Sequence, residues 1–353
     1  MNRLRRKLIL TLIMLAFTVV CLTSVTYAWF SQNREAWTED FDIEIKNTDG
    51  ISISVDGTQF RSSIPAELVK KAIVAKKYDV SVNDLLLSPA EIETEYRKIE
   101  LESVTTSDLK TFMEINDSEA AATDNNNKWQ LKEVTDKSKY ISFDLWFRVE
   151  NSTSNNEAFN KQYELALVDN LYYDERLAAG EEVIKPKLIS TATEVRLNTD
   201  FMNYKSGDMI EVNPENAMRI GFLNGDAAVI YEPTKNVGLG SYALEGELGI
   251  YDPMENEMLQ YLNAYTAPYS LEPIKENIEL YKNTVTFNEY KALGEFNSAP
   301  GTAYNDIKLT VFIWLEGYDA DYMLGVDVNK LVCSLNFYKK EIGGNNWWNL
   351  LEK

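Results

Sequence analysis

Residues 141–149, Ile141-Ser142-Phe143-Asp144-Leu145-Trp146-Phe147-Arg148-Val149, alternate without a break. Ile141, Phe143, Leu145, Phe147 and Val149 fall on one side, and Tyr140, Ser142, Asp144, Trp146 and Arg148 on the other. Successive side chains of a strand point to opposite faces, so this period-two pattern describes a strand with one face in a core. A second stretch near the end repeats it: Ile307, Leu309, Val311, Ile313 and Leu315 make an aliphatic face, and Lys308, Thr310, Phe312, Trp314 and Glu316 the opposite one. These two are the expected central core strands.

Working outward, further strands are expected at Lys98 to Val104, Gln162 to Val168, Ala217 to Leu223, Ala227 to Tyr231 and Lys330 to Tyr338. Phe41 to Ile45 and Ile51 to Val55 flank Asn47-Thr48-Asp49-Gly50 and read as a hairpin, with Asp-Gly supplying the tight turn. About nine or ten short strands bounded by turn residues make an antiparallel β-sandwich. Two helical insertions are expected: Pro65 to Lys77 behind a Ser63 cap, and Pro253 to Tyr265, which opens with proline and acids. Asp117 to Asn127 reads as an exposed loop, and Gly238-Leu239-Gly240-Ser241, lacking a third glycine, as a turn.

The chain holds 55 acidic and 35 basic residues, a formal charge of -20, and no histidine. Such a field repels nucleic acid and gathers cations. Without histidine there is no Ser-His-Asp or Cys-His arrangement and no histidine-ligated metal, so catalysis would rest on carboxylates, lysine, tyrosine or a hard metal. Of the two cysteines, Cys21 lies in an apolar run, and Cys333 shares a strand face with Leu331, Leu335 and Phe337, the pattern of a buried structural thiol.

The first residues carry the localisation signal. Arg3, Arg5, Arg6 and Lys7 precede an apolar run from Leu8 to Val25, followed by Thr26-Tyr27-Ala28-Trp29-Phe30. Basic head, apolar run and small residues before a cut describe an export signal cleaved between Ala28 and Trp29. The competing reading is a retained anchor, because eighteen helical residues cover roughly 27 Å of a ~30 Å hydrocarbon core. The expected organisation is therefore a signal peptide over 1–28 and a single β-sandwich domain with inserted loops and helices over 29–353. Removing residues 1–28 takes away four basic residues and no acidic one, leaving 31 against 55 and a charge of -24. No apolar tail follows Leu350-Leu351-Glu352-Lys353, so attachment is expected through the N-terminus or a partner.

The Thr26-Tyr27-Ala28-Trp29-Phe30 junction resembles signal peptides handled by SipW-type signal peptidases. Val104-Thr105-Thr106-Ser107-Asp108-Leu109, Tyr140 to Arg148, Ala217-Met218-Arg219-Ile220-Gly221-Phe222, Ile230-Tyr231-Glu232-Pro233 and Ile313 to Asp321 look like the motif order of a broader group of such exported Gram-positive surface proteins, distantly TasA- and camelysin-like. What this resemblance implies is a jelly-roll-like β-sandwich at the cell surface, whose best-known relatives build matrix fibres by lending a terminal strand to a neighbour. Camelysin-like members are also classed as metallopeptidases, but this chain has no histidine and no His-Glu-x-x-His helix to hold the metal.

Four groups of residues are candidate sites. Glu316, Asp319 and Asp321 end the second core strand and offer oxygen ligands for Ca²⁺, the alternative being a solvated acidic turn. Trp146 and Trp314 lie on the faces opposite the aliphatic ones and suit either a glycan platform or ordinary aromatic packing. Phe41, Ile43 and Ile45 form an alternating strand able to pair with another copy, or within its own sheet. Trp347-Trp348 reads as a docking patch. With 55 acids, no carboxylate pair stands out as that of a glycosidase. The expectation is a non-enzymatic, exported surface or extracellular-matrix (biofilm-type) protein, self-associating into homo-oligomers or fibres, needing no cofactor beyond an optional Ca²⁺, and touching membrane only if the N-terminal segment is retained. The alternatives are a carbohydrate-binding surface module and a carboxylate-based hydrolase.

Overall fold

A computed structural model describes residues 41–47, 50–106, 108–115, 131–150, 162–181, 183, 185, 187–190, 193–196, 205, 207–232, 284–296, 302–316 and 331–342. The elements in chain order are β1 (Phe41–Asn47), β2 (Ile51–Ser54), β3 (Ser63–Ile64), α1 (Ala66–Lys77), α2 (Pro89–Tyr96), β4 (Ser103–Thr106), β5 (Phe112–Ile115), β6 (Leu131–Glu133), β7 (Ile141–Glu150), β8 (Gln162–Leu167) and α3 (Asn170–Ala178). They continue with β9 (Lys187–Ser190), β10 (Thr193–Arg196), β11 (Met209–Val212), a 3-10 turn (Pro214–Ala217), β12 (Met218–Asn224), β13 (Ala227–Tyr231), β14 (Thr284–Val285), β15 (Ala292–Phe296), β16 (Tyr304–Glu316) and β17 (Leu331–Ile342). The protein is mainly β, with antiparallel and mixed sheets.

The two sequence stretches that alternate most cleanly pair with each other. β7 and β16 run antiparallel over ten positions, from Tyr304 opposite Glu150 to Ile313 opposite Ile141. Their aliphatic faces coincide, and Ile141, Phe143, Leu145, Phe147, Val149, Ile307, Leu309, Val311, Ile313 and Leu315 are all buried. A slip of one residue would turn Asp144 and Arg148 into the core, so the register is fixed by burial itself. β12 takes the other edge of β16, and this sheet continues through β13 to β14 on one side and through β4 to β5 and β6 on the other, with β2 on the edge of β7.

The second sheet has the order β15-β8-β17-β1-β3, with β9 also on β17. Its inward residues share one core with the first sheet: Phe337 of β17 meets Phe147 at 4.7 Å and Phe222 at 5.8 Å between ring centroids. Cys333 is fully buried in this core, as its neighbours on the strand face predict, and burial pushes its thiol pKa up. α1 adds Val69, Ala72, Ile73, Val74 and Ala75 to the same core.

Three expectations are corrected. The Phe41–Ile45/Ile51–Val55 hairpin does not form: β1 pairs with β17 and β3, whereas β2 pairs with β7 in the other sheet, so the intervening turn carries the chain across the core. Ser63 does not cap α1; it belongs to β3 opposite Lys46, and Pro65 holds the cap position without a side-chain bond. The strand expected from Lys98 begins only at Ser103. Two helices were overlooked, although α2 carries a Ser88–Glu91 capping box with Pro89 in its first turn, and α3 is capped by Asp169. Pro253 to Tyr265, Asp117 to Asn127, Gly238 to Ser241 and Trp347-Trp348 lie outside the described residues.

Phe147 bridges the two sheets, so Phe147→Ala should cost about 3–5 kcal/mol in urea unfolding, whereas Ile307→Val on the facing strand should cost about 0.5–1.5 kcal/mol.

Candidate functional site

The outward face of the β7–β16 pair carries a ladder of aromatic and charged groups. Lys308 Nζ lies 4.9 Å from the centroid of the Trp146 ring. Gly57, at φ +71°, packs against the same indole so closely that a Cβ there would sit 3.2 Å from it. Arg148 stacks on Phe60 at 3.8 Å and on Tyr304 at 4.9 Å, while its fork donates to both carboxylate oxygens of Asp306 at 2.7 and 2.6 Å. Asp144 accepts from Lys76 Nζ at 2.9 Å and Thr310 Oγ1 at 2.7 Å, and Lys308 Nζ lies 2.8 Å from its other oxygen. Burial alone would raise its pKa, but these partners hold its carboxyl below the ordinary carboxylate value.

Farther along β16 the same face is closed to solvent. Trp314 is fully buried and donates from Nε1 to Glu316 Oε2 at 3.1 Å. Phe112 meets it edge-on at 5.7 Å and stacks on Tyr140 at 3.9 Å. Leu109, in the left-handed region at φ 58°, reaches into the space over Gly221, where a Cβ would come within 2.5 Å of it. Beside this aromatic plug Arg219 and Glu232, both fully buried, form an ion pair at 3.1 Å, and Arg219 Nη1 also donates to the carbonyls of Asn216 and Met218. A buried pair of this kind is expensive to break from one side, because a charge is then stranded in a low-dielectric interior.

Trp146 and Trp314 are therefore not brought together. Lys308, which faces Trp146 across the pair, is six residues from Trp314, about 20 Å along a strand. Trp314 is core, and the Trp146 indole is flanked by Lys308 and Gly57, so the shared exposed platform does not exist. Glu316 is fully buried against Trp314, and Asp319 and Asp321 lie outside the described residues; among those described, no three Cys, Asp or Glu side chains gather as a metal would need. Arg219 and Glu232 were overlooked as a pair. The two-residue turn at Gly225-Asp226 between Asn224 and Ala227 sets a register that places them opposite each other, and that register was available from the sequence.

Phe41, Ile43 and Ile45 lie in β1, parallel to β17, with Phe41 opposite Leu331, Ile43 opposite Cys333 and Ile45 opposite Leu335. Ile45 is fully buried. On its other edge, among the described residues, β1 is paired only at Ile45 and Lys46, with β3. Ala28 and Trp29 lie outside the described residues, and no helix among those described is long and apolar enough to cross a membrane. No family model matches the chain, and neither a curated protein nor a solved structure matches it.

Glu232→Leu should destabilise the protein by about 3–5 kcal/mol, and adding Arg219→Met should recover much of the loss, a non-additivity that a double-mutant cycle in urea reads directly. Because the folded-state pKa of Asp144 is depressed, its contribution is present above the unfolded value of about 3.9 and lost as pH falls below it. The stability gap between the parent and Asp144→Asn should therefore hold steady in urea melts from neutral pH to about pH 4 and narrow progressively below it.

Proposed function

We propose that this protein is an exported, acidic structural component of a cell surface or extracellular matrix, built on a jelly-roll-like β-sandwich whose copies join by exchanging β1. The observation that carries the reading is the seat of β1. The first described strand lies parallel beside the last one over seven residues, Phe41–Asn47 against Leu331–Phe337, and nothing in the hydrogen-bond pattern requires that both belong to one chain. Such a strand delivers backbone hydrogen bonds and buried apolar side chains to whichever sheet accepts it.

The order of strands supports the jelly roll. The chain passes from one sheet to the other between β1 and β2, β2 and β3, β3 and β4, β7 and β8, β14 and β15, β15 and β16, and β16 and β17, so neighbours within a sheet are mostly distant in sequence. The basic-then-apolar start ending in Thr26-Tyr27-Ala28 supports export. The net charge of -20 keeps separate copies apart at low ionic strength, and divalent cations such as Ca²⁺ that screen it favour association.

The chain's own thiol supplies the test. Ile43 faces Cys333 across the parallel pair, so Ile43→Cys places a second thiol one strand spacing away, within the reach of a disulfide. Under mild oxidation at high protein concentration, with and without Ca²⁺, exchange should yield disulfide-linked dimers and higher species on a non-reducing gel. A disulfide that stays within single chains at every concentration would sink the exchange reading.

A further inference from the structure

We propose that Tyr172 and Tyr338 form an oxidative cross-linking site, at which a one-electron oxidant of the haem-peroxidase and hydrogen-peroxide class couples the two rings into dityrosine and ties α3 to β17. Their rings are stacked, with centroids 3.8 Å apart and planes inclined by 22°. Each ring is held by its backbone. Tyr338 sits on β17 opposite Ala166 of β8, and three residues after Ala166 Asp169 caps α3, accepting the Tyr172 backbone N–H at 2.7 Å. The Arg176 guanidinium lies 5.0 Å from the Tyr172 ring centroid, and Tyr173 and Val183 pack on the same small cluster.

Exposure differs between the two rings in the way such coupling needs. Tyr172 is half-buried and reachable by an oxidant that works on surface phenols, whereas Tyr338 is 5% exposed and touches Tyr172. The position of Tyr338 beneath Tyr172 keeps the tyrosines of another molecule away from it, so the bond forms within one chain. The chain has 20 tyrosines, and Cys333 has no second thiol beside it among the described residues, so a covalent staple within them falls to phenols and not to thiols. Coupling depends on ring geometry and is independent of where the protein resides or whether it assembles.

The chemistry balances as follows. Each phenol gives up one electron and one proton, and the two phenoxyl radicals join through ring carbons ortho to their oxygens. The hydrogens displaced from those carbons move to the oxygens and restore two phenols. The protein loses two hydrogen atoms in all, and one hydrogen peroxide becomes two waters.

The full chain treated at high dilution with a haem peroxidase and hydrogen peroxide should acquire dityrosine fluorescence and give, from the monomer band of a denaturing gel, a linked peptide pair containing Tyr172 and Tyr338 that is two hydrogens lighter than its parts. Tyr172→Phe keeps the stacked ring but removes the phenol, and should lower the fluorescence severalfold and abolish that peptide pair with the circular dichroism spectrum unchanged. Tyr290→Phe, at a ring covered by Lys340 Nζ at 3.7 Å, should leave the pair intact. Absence of the Tyr172–Tyr338 peptide from the folded chain, or an equal yield from chain unfolded in urea, would overturn the proposal.

Discussion

The core of this protein hangs on the ten-position pairing of β7 with β16. Those two strands bring ten buried side chains into one continuous apolar surface, enough to fix their own register before any neighbour is added. The remaining parts attach to what that pairing exposes. β12 zips to the free edge of β16, β2 to the edge of β7, and the second sheet lays Phe337 against Phe147 and Phe222. Even α1, far from either strand in its own periodicity, is tied down by Lys76 reaching Asp144.

In a chain with 55 acids and 35 bases, cations are the scarce partner, and their placement is correspondingly selective. Lys76 and Lys308 converge on Asp144, Lys139 bridges Glu102 and Glu114, and Arg148 forks onto Asp306 while stacked between two rings. Among the described residues Arg219, with five donors and no deprotonated form, is the cation placed wholly inside, with Glu232. Most of the exposed pairs contribute little in salt, but the half-buried and buried ones are screened far less. Among the described residues the cations thus work mostly at the margin of the core, each shared between carboxylates or stacked on rings.

The core was legible because burial imposes a period that no other pressure imitates. The strands around Ile141–Val149 and Ile307–Leu315 appear where alternation places them, as do those at Gln162, Ala217 and Ala227 to within a residue or two, and the one at Lys330 starts one residue later and runs four residues past Tyr338. Connectivity was not legible. Asp49-Gly50 looks like a hairpin turn because a turn is a local object, whereas the choice between pairing with β2 and crossing to another sheet is made by partners some 290 residues away. Trp314 misled for a related reason: the period gives the face but not what covers it, and β5, together with Leu109, closes over one end of a face that is open at the other. α2 announced itself through Ser88, Pro89 and Glu91, and was missed only because its apolar content is low.

The adjacency of β1 and β17 sets a condition on timing as well as on shape. A ribosome delivers Leu331 some 290 residues after Phe41, so β1 waits through all of that synthesis before its long partner exists. The pairing of β7 with β16 waits less long but is completed at nearly the same time, because residues 304–316 arrive shortly before residues 331–342. Closure is therefore a late, nearly simultaneous event with a large sequence separation, the situation in which loop entropy slows folding most. Until then the nascent chain carries Phe41–Asn47 without its long partner, and a holding factor that binds extended segments would find its substrate there.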